Sequence, residues 1–143
     1  MKRYFLFPVL MIFVLACGPQ KQQEGESQST TDRLDSEVMA VHDEVMPHMQ
    51  DIHRYKDQIR IKIDSLSKVG VNEGDEVTTL NNLRQQLESA DEAMMNWMRS
   101  FDRNYNNKTE EEAVTYLEDQ KEKVIQVKEE METALREAEE RLK

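Results

Sequence analysis

The sequence predicts an all-α protein, an antiparallel three-helix bundle or helical-hairpin coiled coil, on three observations. Apolar residues recur on alternating three- and four-residue steps through most of the chain, the spacing of a coiled-coil seam. Chain-breaking residues are scarce, with four glycines and three prolines in 143 residues. Glu, Lys, Gln, Met and Leu are abundant, the composition of long helices.

The first element is not part of that bundle. Residues 1–18 read MKRYFLFPVLMIFVLACG: two positive charges, a short apolar run from Tyr4 to Ala16, then Cys17. A basic start, a short apolar core and a small residue at the cleavage point make a secretory signal. The run is too short for a membrane span, which needs about 20 apolar residues. Val14-Leu15-Ala16-Cys17 resembles the lipobox of bacterial lipoproteins. That resemblance implies a signal peptide over 1–16, cleavage before Cys17, and lipid (palmitate among the acyl groups) on the Cys17 sulfur and its new amino group. Several acyl chains make a durable membrane anchor where a single one is marginal. Cys17 is the only cysteine, so no disulfide forms within the chain and stability comes from packing alone.

Cleavage removes Lys2 and Arg3 and leaves 17 basic against 29 acidic side chains, a net charge of −12. Nucleic-acid binding needs phosphate-neutralising Lys and Arg, so that class is excluded. Residues 17–30 hold the lipidated Cys17 and a stretch without apolar side chains, GPQKQQEGESQST. Such a segment buries nothing and is expected to be a flexible tether, spanning roughly 20 Å end to end. No acidic run directly follows Cys17. This points to an outer-membrane lipoprotein that faces the periplasm rather than one exported to the cell surface.

Residues 31–143 are expected to form the bundle, with helices over about 32–69, 75–102 and 109–142. The first helix carries the seam Val38, Val41, Val45, Ile52, Tyr55, Ile59, Leu66 and Val69, with Thr31 or Asp32 as its cap. Pro47 lies inside this pattern. It removes one backbone hydrogen bond and clashes with the Asp43 carbonyl, so a kink or a break into two collinear pieces is expected. Residues 70–74, GVNEG, make the first turn. The second helix has the seam Leu80, Leu83, Leu87, Ala90, Met94, Trp97 and Phe101. After a second turn rich in Asn, Thr109-Glu110-Glu111-Glu112 is a capping box opening the third helix. Its seam is Ala113, Leu117, Val124, Val127, Met131, Ala134 and Ala138. Short turns between amphipathic helices fold them back on one another.

One constellation could carry chemistry. His42, Met46, Met49 and His53 fall on steps of four, three and four, one stripe of a helix. The second helix carries Met94, Met95 and Met98 around Trp97. If the helices end near Val69 and restart near Asp75, partners have numbers summing to about 144. Met49 then meets Met95 and Met46 meets Met98, beside the Pro47 kink. Thioether and imidazole ligands suit Cu(I), so His42, Met46, Met49, His53, Met95 and Met98 are a candidate copper site. Trp97 nearby could lie over such an ion. The competing explanation is that methionine fills the irregular gap a proline kink creates. The stripe also lies one residue off the seam, which turns His42 and His53 toward solvent. No other cofactor is implied.

Enzymatic motifs are missing. His42-Asp43-Glu44 has acid–base residue types, but contiguous helical residues point apart. No nucleophile elbow, metalloprotease spacing or calcium-loop pattern occurs. No catalytic residue is therefore assigned.

Residues 41–49 (VHDEVMPHM) and 93–98 (AMMNWM), followed by 116–121 (YLEDQK), resemble small helical lipoproteins of Bacteroidota often labelled "viral A-type inclusion protein". The resemblance covers most of the mature chain. It implies a lipoprotein and no established activity. The expectation is thus a non-enzymatic, lipid-anchored helical module of the cell envelope that serves structure or binds a protein, with envelope copper binding as the alternative.

Overall fold

The computed structural model describes residues 29–70 and 74–143, and the signal run, Cys17 and most of the tether lie outside them. The described residues form four α-helices and no strand. They are α1 (Thr30–Val45), α2 (His48–Lys68), α3 (Asp75–Ser100) and α4 (Glu110–Leu142). None is long and apolar enough to cross a membrane.

α1 starts two residues earlier than expected, at Thr30 rather than about 32, and its cap is neither Thr31 nor Asp32. Ser29 is the cap, and its hydroxyl accepts from the Asp32 amide at 3.1 Å. Asp32 instead sits in the first turn, where a carboxylate faces the positive end of the helix dipole. The break expected at Pro47 is present and mild. Met46 (φ −54°, ψ −37°) and Pro47 (φ −58°, ψ −28°) keep right-handed helical angles. Proline has no N–H to return to Asp43. The chain tightens instead, with Met49 N–H donating to Met46 O and Gln50 N–H to Pro47 O, both at 3.2 Å. α1 and α2 therefore continue one another as two pieces of a long helix.

Gly70 (φ 84°) and Gly74 (φ 131°) flank the first turn in the left-handed region that lacks a Cβ penalty. Of that turn, residues 71–73 lie outside the description. Val69, expected in the seam, is 75 % exposed and caps α2. Near this end of α2, Lys62 pairs with Glu76 of α3 at 3.2 Å.

α3 stops at Ser100, two residues short of the expected end. Phe101 leaves the helix with extended angles (φ −74°, ψ 108°). Two bonds explain this: the Asp102 amide donates to the Tyr116 hydroxyl at 2.8 Å, and Ser100 Oγ donates to Trp97 O at 3.0 Å. α4 opens on a complete capping box. Thr109 Oγ1 accepts from Glu112 N at 3.2 Å, and Thr109 N donates to Glu112 Oε2 at 2.8 Å. Those bonds hold the Glu112 carboxyl below its ordinary pKa.

The helices pack around one continuous core. Val38, Val45, Ile52, Ile59, Leu80, Leu87, Met94, Leu117, Val124 and Met131 are all sealed from solvent. Each such side chain contributes about 1.5–3 kcal/mol of transfer free energy. The inward row of α4 runs Ala113, Leu117, Gln120, Val124, Val127, Met131, Ala134, Ala138. Gln120 is the one polar side chain among the buried described residues.

Candidate functional site

The three seams of the bundle are built differently. Between α1 and α4, Lys121 pairs with Glu37 at 2.7 Å and Lys128 with Glu44 at 2.6 Å. The bonds from Lys121 and Arg33 hold the Glu37 carboxyl low, and the Glu44 bond raises Lys128. Between α2 and α3, Lys56 reaches Asp91 at 3.1 Å and Lys62 reaches Glu76 at 3.2 Å. The acids of both seams are thus matched by bases across the helix interface.

The α3/α4 seam is open. Two adjoining grooves of about 750 and 440 Å³ run along it, sharing Asn82 and Gln86. Buried Ala90, Ala134 and Leu83 form the floor. Ala90 and Ala134 are small, so the floor lies deep between the two helices. The α3 wall is Thr79, Asn82, Gln85, Gln86 and Ser89, with no charged group. The α4 wall carries Glu129, Glu130, Glu137 and Glu140. Glu130 accepts from Gln126 Nε2 at 3.1 Å. Glu129, Glu137 and Glu140 have no ion-pair partner among the described residues. Arg141, at the groove end, is held by Glu76. An uncharged wall is conspicuous in a chain that is 34 % charged.

A second cluster closes the end of the bundle near Ser29. Arg103 grips the Asp35 carboxylate with two nitrogens, and the Tyr105 hydroxyl donates to Asp35 Oδ1 at 2.8 Å. Partial burial pushes the Asp35 pKa up, but the bonds from Arg103 and Tyr105 and the guanidinium charge bring it below its ordinary value. Burial, then the bond to Asp35, raises the Tyr105 hydroxyl. Beside them Trp97 stacks on Phe101 at 4.9 Å, and Phe101 on Tyr116 at 6.3 Å. This cluster ties the loop after α3 to α1.

The copper candidates differ in burial. Met46, Met49 and Met98 are partly buried against the core. Met94 takes the sealed position, while Met95 points out and is 39 % exposed. His53 is exposed and sits 3.9 Å from Asp91. His42 does not face solvent as expected: its ring lies 5.6 Å from Trp97, with Nδ1 2.8 Å from Asp43 Oδ1. The contacts His42–Trp97, His53–Asp91, Lys56–Asp91 and Lys62–Glu76 give pair sums of 139, 144, 147 and 138, which bracket the expected 144. Among the described residues no three His, Cys, Asp or Glu side chains converge as a metal group. Cys17 lies outside the described residues.

Sequence reasoning missed three features. The open seam was legible in principle, because Thr79, Asn82, Gln86 and Ser89 repeat at three- and four-residue steps beside the seam. Gln120 was legible as well, since the step from Leu117 to Val124 skips a core position. Asp35 had no local signal, because its partners lie about 70 residues away. Trp97 Nε1 and Gln120 Oε1 are both buried without a hydrogen-bond partner.

No protein-family model, curated protein or solved structure matches the chain.

Proposed function

We propose that this chain is a lipid-anchored, non-enzymatic helical lipoprotein of the bacterial cell envelope, a protein-interaction or structural module held at Cys17 and facing the periplasm. The observation that carries the reading is the Leu15-Ala16-Cys17 sequence ahead of a self-contained helical body that begins at Ser29. The 11 residues between Cys17 and Ser29 let that body stand off the bilayer by roughly 20 Å.

The proposed arrangement is an antiparallel bundle in which α1 and α2 run up, α3 down and α4 up. Support comes from the order of cross-helix pairs. Residue numbers rise together for Glu37–Lys121 and Glu44–Lys128. They run oppositely for Lys56–Asp91 and Lys62–Glu76. A rod of this kind is about 50 Å long, the length of the 33-residue α4. The charged side chains of two seams are engaged in joining helices, which suits a spacer or docking module.

The test is metabolic labelling with an alkyne fatty acid in a bacterial host, followed by intact mass. The expected product is acylated, lacks residues 1–16, and loses its label in Cys17→Ser. A free thiol on a chain that retains residues 1–16 overturns the reading.

A further inference from the structure

We infer that the α3/α4 groove is the docking site of this module, and that its occupant is a basic amphipathic helix of another protein. The inference rests on the interaction-module reading above and names its surface and partner class. The first argument is contrast. The other two seams each match acid with base twice across the helix interface, whereas the α3/α4 seam has the single Arg141–Glu76 pair at the groove end, and Glu129, Glu137 and Glu140 along the rim form no ion pair among the described residues. The second is shape. The groove extends roughly 20 Å along the helices, room for three to four helical turns. Its floor of Ala90, Leu83 and Ala134 accepts a small apolar seam, and its amide and hydroxyl wall imposes no charge on the visitor. Complementary charge then comes from the partner, which carries Lys or Arg on the edge facing α4. A second copy of this chain is a poor occupant, because it brings another acidic excess to an acidic rim.

The probe is a fluorescent synthetic helix of about 18 residues with an Ala/Leu seam flanked by Lys, titrated against the full chain in detergent micelles. Replacing the rim with Glu129→Gln/Glu137→Gln/Glu140→Gln is expected to weaken binding by about tenfold or more. Removing the same charge elsewhere, with Glu111→Gln/Glu118→Gln/Glu122→Gln, is expected to change it by less than about twofold. Equal weakening by both sets, or no binding, overturns the assignment. A photo-crosslinker placed at Gln85 in the groove or at Gln58 on α2, in cells, separates this failure from that of the broader reading. An adduct from Gln85 to a Lys/Arg-rich segment, lost on rim neutralisation, supports the groove. Adducts from Gln58 alone, or from Gln85 to a second copy, overturn the groove and keep the module. No adduct from either position overturns both.

Discussion

The α1/α4 seam and the α3/α4 seam share one helix, yet they are finished in opposite ways. On the α1 side, Lys121 and Lys128 of α4 reach across to Glu37 and Glu44. On the α3 side, α4 presents glutamates to a wall of Asn, Gln, Ser and Thr. The apolar floor is comparably sealed beneath both. Val38 and Val45 of α1 are fully buried, and so are Leu80 and Leu87 of α3. Holding the helices together is therefore the task of the core. The outer edge of each seam is free to differ: two ion pairs close the α1/α4 edge, while Arg141–Glu76 pins only the end of the α3/α4 edge.

That comparison can be broken by substitution, starting with the largest effect. If the core is equally tight beneath both seams, Leu87→Ala loses about 3 kcal/mol and Val45→Ala about 2 kcal/mol in urea unfolding, in proportion to the methyl groups removed. A much smaller loss for Leu87→Ala would mean that the open seam is loose to its floor. Asp35→Asn comes next. It strands Arg103 and the Tyr105 hydroxyl and is expected to cost about 1–3 kcal/mol at neutral pH. Because the folded Asp35 pKa lies below its ordinary value of 3.8, this stabilisation is complete above that value. It is lost as pH falls through the folded pKa. Acid titration of stability should therefore be shallower in Asp35→Asn than in the parent chain.

Gln120→Leu sharpens the comparison from inside. Gln120 Nε2 donates to Asp119 Oδ2 at 3.0 Å, but its Oε1 is buried without a partner. Replacing it with an apolar side chain of similar size removes that unmet acceptor and is expected to raise stability by about 1 kcal/mol. A loss of stability would show that Gln120 bonds within the core.

Much of the helical pattern was legible in the sequence because it depends on local spacing. The row from Leu80 to Trp97 and the row from Ala113 to Ala138 can be read from three- and four-residue steps, and Pro47 announces its own break. The Thr109–Glu112 capping box needs only four residues. Features made across the interface were not legible in the same way. The Asp35–Arg103–Tyr105 lock joins residues far apart in sequence. Val69 reads as core by hydropathy alone but stands exposed at the end of α2. Matching Met95 to Met49 sets a level along the bundle, but level does not fix facing: Met94 takes the sealed position, and its neighbour Met95, about 100° further round the helix, turns outward. The open seam was legible only in its uncharged row of Thr79, Asn82, Gln86 and Ser89; which glutamates opposite it stay unpaired is a property of three-dimensional neighbours.

The most direct test of the asymmetry compares the urea midpoints of two charge-neutralised variants of the full chain. Glu37→Gln removes an acid that bridges Lys121 and Arg33 on the closed edge. Glu129→Gln/Glu137→Gln removes acids on the open edge that form no ion pair among the described residues. The midpoint should fall for the first and stay level or rise for the second, with both differences shrinking in high salt. A fall in both variants would contradict an open seam, because it would mean that Glu129 and Glu137 have found bases of their own.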